Sequence, residues 1–154
     1  VGTNGPNDPS NTNGASAIVI SSSNDIFVAS GNVVWKYPHN ESAWVIVGDG
    51  TLDNSAVTSL ALDQESNLYA ATYNGNVFEY IDDDGLWALI GNNIVNGIVA
   101  ITADSSNNIY IAAPWSDNGY TATVYMYSQG IFIPSYHGNY SELSSNNNSI
   151  VAGI

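Results

Sequence analysis

The chain has 154 residues and is strongly acidic: one Lys, no Arg and 14 Asp or Glu residues give a formal net charge of −13. Phosphate backbones and anionic membranes are bound through Lys and Arg, so this balance argues against nucleic-acid binding and against docking on acidic membranes. Cys is absent, which excludes a disulfide framework and a thiolate metal site. No apolar run is long enough to span a bilayer, and we expect no membrane insertion. The partners that remain are cations, sugars and basic proteins.

The chain begins with a polar stretch, and short strands follow it. Residues 3–16 are rich in Asn, Pro and Gly and predict a loop. The clearest strand pattern runs from Val57 to Gly91, where four short apolar segments are each followed by a turn. Asp63 opens the first of these turns, and Asn74-Gly75 predicts a tight hairpin because Gly accepts a positive φ.

The same pattern occurs three times. The second strand of each copy falls at 26–30, 68–72 and 109–113, a period of about 42 residues. Four strands per unit at this period indicate an all-β fold of four-stranded antiparallel β-propeller blades. We place the blades at about 15–48, 56–91 and 97–138, with 149–154 as the first strand of a further blade.

Three blades are fewer than a usual propeller contains. Val1-Gly2 aligns with Val47-Gly48, and 149–154 aligns with a first strand, so the repeat begins and ends in mid-blade. We therefore expect either a piece of a six- to eight-blade ring or a subunit that completes a ring by self-association. An open arc would expose apolar blade faces and strand edges, which favour association.

The middle copy also carries a resemblance to known proteins. Its text V-x-S-L-A-L-D-x-x-x-N-L-Y-A-A-T-x-N-G-N-V resembles the propeller repeats of periplasmic sensor domains of two-component regulators. It is also similar to tachylectin- and tectonin-type lectin propellers. The resemblance implies a propeller architecture over nearly the whole chain, and it carries no catalytic motif. The first copy departs from the pattern, because Ser21 stands where Asp63 and Asp104 stand.

A candidate binding site lies in the loops between second and third strands. The third copy has an insertion there, from Pro114 to Thr123, that breaks the repeat. Loops on rigid scaffolds often carry binding residues. An exposed Trp could stack on a sugar while polar groups bond its hydroxyls; the alternative is that this Trp covers a blade edge. The candidate ligand-binding residues, including one from the equivalent loop of the middle copy, are Trp115, Asp117, Asn118, Tyr120 and Tyr73.

Other residues recur in the repeat and are predicted to be structural. The fourth-strand aromatics Trp44, Trp87 and Phe132 match one another and are expected to pack. Asp63 and Asp104 are expected to cap turns. The run at 82–84 is expected to be a solvated turn, with a Ca²⁺ site as the alternative. No other cofactor is expected, and no residue is assigned a catalytic role.

The function predicted from these features is non-enzymatic recognition of a protein or carbohydrate ligand through the loop face of a propeller. One alternative is a lectin-like sugar binder. Others are a propeller lyase or hydrolase, or a structural unit that polymerises. Sequons at 40–42, 139–141 and 147–149 favour an extracellular or periplasmic location.

Overall fold

The computed structural model describes residues 5–6, 13–113 and 121–139, and the regular structure in these ranges is β-strand throughout. The strands form three four-stranded antiparallel sheets, each with its strands side by side in chain order. Within the described ranges, no helix is long and apolar enough to cross a membrane.

Each sheet is one blade. Blade 1 contains β1 (Ala15–Ile20), β2 (Ile26–Ser30), β3 (Val33–Tyr37) and β4 (Val45–Thr51). Blade 2 contains β5 (Val57–Leu62), β6 (Leu68–Thr72), β7 (Val77–Ile81) and β8 (Leu86–Gly91). Blade 3 contains β9 (Ala100–Ala103), β10 (Ile109–Ala113), β11 (Thr121–Ser128) and β12 (Ile131–Asn139).

The blades contact one another mainly through their first strands. Strand β5 lies beside β1 on one side and beside β9 on the other. The first strands are therefore innermost and the fourth strands outermost, which is the arrangement of blades around a propeller axis. This confirms the predicted all-β propeller class.

The hydrophobic core lies between blades. We call the side of a blade that meets the preceding blade its incoming face, and the side that meets the next blade its outgoing face. One core cluster joins the outgoing face of blade 1 to the incoming face of blade 2; its buried members are Phe27, Ala29, Val34, Val47, Val57, Leu60, Leu68 and Ala70. A second joins blades 2 and 3; its buried members are Ala61, Tyr69, Ala71, Val77, Ile98, Ile101, Ile109 and Ile111. Each blade is thus stabilised by burying apolar area against its neighbours.

Asp63 and Asp104 cap the turns between first and second strands, as predicted. One oxygen of Asp63 accepts backbone N–H groups of Glu65 and Asn67, each at 2.9 Å. Asp104 makes the same two bonds one repeat later, at 2.8 and 3.0 Å. These carboxylates satisfy turn N–H groups that no strand partner can reach.

The repeated aromatics pack, also as predicted. Ring centroids of Tyr37 and Trp44 lie 5.2 Å apart, and those of Tyr80 and Trp87 lie 5.4 Å apart. The equivalent rings of blade 3 pair at 5.0 Å; these are Tyr127 and Phe132. The tilted geometry is typical of favourable aromatic pairs.

A glycine lies against the fourth-strand aromatic of each blade. A Cβ added to Gly48 would lie 2.6 Å from Cδ1 of Trp87, and one added to Gly91 would lie 2.8 Å from the Phe132 ring. In blade 1 the glycine against Trp44 is Gly5, at 2.7 Å. Gly5 thus makes the contact that Gly48 and Gly91 make one and two repeats later; Val1 and Gly2, which the sequence aligns with Val47 and Gly48, lie outside the described residues.

Blade 3 departs from the sequence expectation at its insertion. Strand β11 begins at Thr121 and Thr123 pairs with Ala113, so the last three residues of the expected insertion belong to a strand. Strand β12 continues past Pro134, with a bulge that places Ser135 outside the register. Pro is tolerated there because β12 is the outermost strand of its sheet. The expected strand at 149–154 lies outside the described residues.

Candidate functional site

The ends of the blades define two opposite faces. On the loop face lie the hairpins between second and third strands and the segments that join one blade to the next. Backbone bonds tie them together: Tyr73 N–H donates to Ala56 O at 3.0 Å, and Gly97 N–H donates to Tyr73 O at 2.8 Å. On the turn face lie the turns between first and second strands and between third and fourth strands. Because every blade repeats this arrangement, each face collects loops of one kind.

Asp53 organises the described part of the loop face. Its Oδ1 accepts the Ser55 N–H at 2.6 Å, while its Oδ2 accepts the Thr72 hydroxyl at 3.1 Å and the Asn76 amide at 2.9 Å. The carboxylate therefore joins the linker between blades 1 and 2 to the β6–β7 hairpin. The geometry thus gives Asp53 a structural role.

Of the predicted ligand-binding residues, Tyr73 is described. It follows β6 on the loop face, and its side chain is 62% exposed. The hairpin after it is formed as predicted, and a Cβ on Gly75 would collide with the carbonyl oxygen of Val95, so this position requires Gly. Trp115, Asp117, Asn118 and Tyr120 lie outside the described residues.

A groove of about 620 Å³ opens on the turn face between blades 1 and 2. Sequence reasoning missed it, because its two walls come from different blades. The walls are mixed, and their apolar part includes Phe27, Val45, Ile46, Val47, Leu68, Tyr80 and Ile81. Five acidic residues also line it: Asp25, Glu65, Glu79, Asp82 and Asp83. The one basic residue in the lining is Lys36.

Lys36 is held on the blade 1 wall by Asp25. Its Nζ lies 3.0 Å from Oδ2 of Asp25 and 5.5 Å from the centroid of the Phe27 ring. The backbone N–H of His39 also donates to Asp25, at 2.8 Å. These two contacts, the His39 bond first and the Lys36 bond second, hold the pKa of Asp25 below its ordinary value.

The equivalent positions of blade 2 carry a Tyr and an acidic residue instead of a Phe and a Lys. Tyr69 stands at the Phe27 position and Glu79 at the Lys36 position. The Tyr69 hydroxyl lies 3.2 Å from Asp63 and 3.3 Å from Glu79. Burial, then the nearby charges of Glu79 and Asp63, raise the pKa of Tyr69. Because Phe27 has no hydroxyl to bridge two carboxylates, blade 1 carries a cation and a single carboxylate instead.

The sequence contains this exchange of residue types between the first two copies of the repeat. Between the second and first copies, Asp63 becomes Ser21, Asn67 becomes Asp25, and Glu79 becomes Lys36. The three positions are separated along the chain, and only the antiparallel pairing of β2 with β3 brings the last two together. Comparing the copies for compensating charge changes could have identified the ion pair.

The acidic residues of the opposite rim come from the β7–β8 turn. The charge of Asp82 acts on the Tyr80 hydroxyl. Burial first, and Asp82 second, raise the pKa of Tyr80. Asp82, Asp83 and Asp84 are exposed, as expected of a solvated turn, and Asp82 and Asp83 line the groove whereas Asp84 does not. Over the described ranges, no group of three His, Cys, Asp or Glu side chains is arranged to hold a metal ion.

The sequence matches no protein-family profile and no curated protein. Its fold is similar to solved propellers. Hydrazine synthase of Kuenenia stuttgartiensis is 9% identical with a TM-score of 0.65, and the match covers 82% of this chain and 38% of that one. YCF48 bound to a D1 peptide is 7% identical with a TM-score of 0.59, covering 79% and 40%. The extracellular domain of the hybrid two-component system BT4673 from B. thetaiotaomicron is 14% identical with a TM-score of 0.54, covering 83% and 23%.

Together, the three stacked sheets and these similarities define the class of the chain: it is an arc of β-propeller blades. At this level of identity the likeness concerns the fold alone. The chain spans 38% and 40% of the length of the first two structures, so their activities and partners belong to those proteins.

Proposed function

We propose that this chain is a non-enzymatic recognition scaffold that binds a basic segment of a partner protein in the groove between blades 1 and 2. The observation that carries the proposal is the set of acidic residues that line a groove with partly apolar walls. A volume of 620 Å³ falls within the range of about 300–1,000 Å³ that is usual for binding pockets.

The charges of the groove favour a ligand with positive charges. Asp25 is already paired with Lys36, whereas Glu65 and Asp83 are exposed and face the opening. Lys or Arg side chains of a peptide would pair with these carboxylates while the intervening apolar side chains cover the exposed Val45 and Ile46. The net charge of −13 adds long-range attraction for a basic partner.

The comparisons support a protein ligand in a general way, since one similar propeller was solved with a peptide bound. That peptide is the ligand of YCF48. For this chain, the ligand class rests on the residues of the groove.

The experiment is a fluorescence-anisotropy titration with a labelled peptide of alternating Lys and Leu. A peptide of alternating Glu and Leu serves as the ligand control. We expect only the Lys peptide to bind. Added salt should weaken its binding, because salt screens exposed charges.

Two neighbouring residues provide a matched pair of variants. Asp83→Asn removes a charge that lines the groove, and Asp84→Asn removes the same charge one residue away, outside the lining. We expect Asp83→Asn to weaken the Lys peptide several-fold, and Asp84→Asn to have a clearly smaller effect. Lys36→Met should strengthen binding, because it removes a positive charge from the groove. Met126 stands at the equivalent position of blade 3, so the repeat accepts Met there. Equal losses in both Asp variants, or no binding of the Lys peptide, would contradict the proposal.

A second candidate function is carbohydrate binding on the loop face. The observation that favours it is the exposed ring of Tyr73, which could stack on a sugar. Screening the protein on a glycan array, with Tyr73→Ala as the comparison, separates this candidate from the first. Glycan binding that is unchanged in Tyr73→Ala would show that the Tyr73 ring does not contribute to it.

We also propose an extracellular or periplasmic location. Asn40, the first residue of a sequon, is exposed in the turn between β3 and β4. A similar fold occurs in the extracellular domain from B. thetaiotaomicron. Secretion from a eukaryotic host followed by enzymatic deglycosylation would show whether Asn40 accepts a glycan, with Asn40→Gln as the control.

A further inference from the structure

The outermost strand of each blade leaves one edge of its sheet open. Within the described ranges, β4, β8 and β12 each pair with a strand on one side alone. Such an edge carries backbone N–H and C=O groups that can bond an added strand, and proteins often block it with Pro. Whether an edge of this chain can accept a strand therefore depends on the residues of its fourth strand.

One position of the fourth strand is equivalent in the three blades. Its residue pairs with the same third-strand position each time: Ile46 with Trp35, Leu89 with Phe78, and Pro134 with Tyr125. The register shifts next to this pair in every blade, so the position is equivalent in sheet geometry as well as in sequence.

Pro134 shows which way the backbone of this position faces. Pro has no N–H to donate, yet β12 stays paired with β11 on both sides of it, at Ile133 and at Tyr136. Successive residues of an antiparallel strand bond the neighbouring strand and face away from it in turn. A position that accepts Pro without loss of pairing is one whose N–H faces the open edge. By this equivalence, the N–H groups of Ile46 and Leu89 face the open edges of their blades.

The open edge of blade 1 borders the groove. Val45, Ile46 and Val47 all line it, and Ile46 is 46% exposed. The carbonyl of Val47 is already bonded to the indole N–H of Trp87, which leaves the edge at Ile46 for a partner. Leu89 is as exposed, at 51%, but it does not line the groove. The edge of blade 1 therefore combines an available N–H with an acidic lining.

We propose, on the basis of the function proposed above, that the basic segment binds in an extended conformation and adds a strand to blade 1, hydrogen-bonded to β4 at Ile46. Addition of a strand to a sheet edge is a recurring mode of peptide recognition. Main-chain hydrogen bonds supply affinity, and alternate side chains supply specificity.

The geometry of an added strand defines the pattern of the partner. Side chains of a strand point to opposite sides of the sheet in turn, so every second side chain of the segment lies on the outgoing side of blade 1. Val45 marks this side, because it pairs with Lys36. Asp82 and Asp83 line the groove from the blade 2 wall. The partner is therefore a segment with Lys or Arg at alternate positions, rather than at the spacing of an amphipathic helix.

The first experiment compares labelled peptides of identical Lys and Leu composition by fluorescence anisotropy. One alternates Lys and Leu, and the other places Leu at i, i+3, i+4 and i+7, which favours an amphipathic helix. We expect the alternating peptide to bind at least roughly tenfold more tightly. Equal affinities would overturn the strand mode and leave the groove proposal standing. If neither peptide binds, both proposals are wrong.

Backbone methylation tests the main-chain bonds directly. Two alternating peptides carry N-methyl groups on every Lys or on every Leu, so that each blocks one edge of the extended peptide while its charges are kept. We expect one of the two to bind at least roughly tenfold more weakly than the other, because only one peptide edge faces β4. Equal binding of both methylated peptides would contradict the added strand.

Ile46→Pro and Leu89→Pro are a matched pair of protein variants. Each removes the N–H from an open edge at the position where blade 3 carries Pro134, so each should keep a cooperative thermal transition. Ile46→Pro should weaken the alternating peptide at least roughly tenfold, and Leu89→Pro should leave its affinity near that of wild type. Equal effects of two folded variants would contradict pairing at β4, and the methylated peptides decide the question if Ile46→Pro does not fold.

Amide hydrogen exchange reports on the same contact in the wild-type chain. Saturation with the alternating Lys peptide should slow the exchange of the Ile46 N–H more than that of the Leu89 N–H, because a hydrogen-bonded amide exchanges when the bond opens. Unchanged exchange at Ile46 in the saturated complex would show that the peptide does not pair with β4.

Discussion

The indole N–H of Trp87 donates a hydrogen bond of 3.1 Å to the backbone carbonyl of Val47, across the boundary between blades 2 and 1. The bond joins the outer strands β8 and β4, where apolar contact between blades is sparse. It fixes the spacing of the two sheets next to the groove. Trp87 therefore has a polar function as well as a packing one.

Replacing Trp87 by Phe removes this bond and keeps an aromatic ring. We expect Trp87→Phe to lower the free energy of unfolding by about 1–2 kcal/mol more than Trp35→Phe does. Trp35 is the comparison because its buried Nε1 has no hydrogen-bond partner among the described residues, and Phe78 stands at its equivalent position. Urea unfolding of both variants measures the difference, and equal losses would mean that the bond to Val47 contributes nothing.

Tyr69→Phe removes the hydroxyl that lies between Asp63 and Glu79. We expect a loss of about 1–2 kcal/mol in the free energy of unfolding, because two carboxylates lose their shared donor. Tyr110→Phe loses a bond to Asp104 alone and should cost less. The raised pKa of Tyr69 means that its contribution is present below the ordinary Tyr pKa of 10.0 and is lost as pH rises above it. Wild type should therefore lose stability above that pH, and Tyr69→Phe should lose less.

Asp104 makes the turn of blade 3 sensitive to acid. Hydrogen bonds from the Asn108 side chain first, and from backbone N–H groups next, lower the pKa of Asp104 to about 2. The folded pKa lies below the ordinary value of 3.8, so the contribution is present above that value and is lost as pH falls towards 2.

The matching variant is Asp104→Asn. Its melting temperature should lie below that of wild type at neutral pH. The difference should disappear between pH 4 and pH 2, because the carboxylate of Asp104, whose pKa is lowered to about 2, becomes protonated in that range. Asp84→Asn controls for the change of net charge, since its carboxylate lies on a solvated turn. A gap that stays constant down to the lowest pH would show that the Asp104 charge is not what stabilises the turn.

Gly48→Ala tests the close approach of Gly48 to Trp87. Gly48 has a φ of +78°, and an added Cβ would lie 2.6 Å from the Trp87 ring. Gly97 has a φ of +76° with nothing within 4 Å, so Gly97→Ala introduces the same backbone strain without the collision. We expect Gly48→Ala to cost about 1–3 kcal/mol more than Gly97→Ala, as overpacking does. Thermal unfolding compares the two, and near-identical melting temperatures would show that Trp87 moves aside at no cost.

The sequence by itself determined the strands, the blade repeat and the turn caps. Alternation of large and small residues specifies which side of a strand is buried, and Asp63 and Asp104 act on N–H groups within four residues of their own position. Such local relations recur at a fixed period, so they can be recognised without knowing how the sheets stack. Tyr80 and Trp87 could likewise be assigned to packing because their positions recur in each blade.

Only the tertiary structure decided the contacts that cross a sheet or join two blades. The Lys36–Asp25 pair depends on the pairing of β2 with β3, and the Trp87–Val47 bond joins residues 40 positions apart. The groove is lined by residues of blades 1 and 2 together, which no local pattern records. The burial of Leu60 and Ile101 is the same case, because it depends on the blade packed against each of them and not on the residues beside them in the sequence.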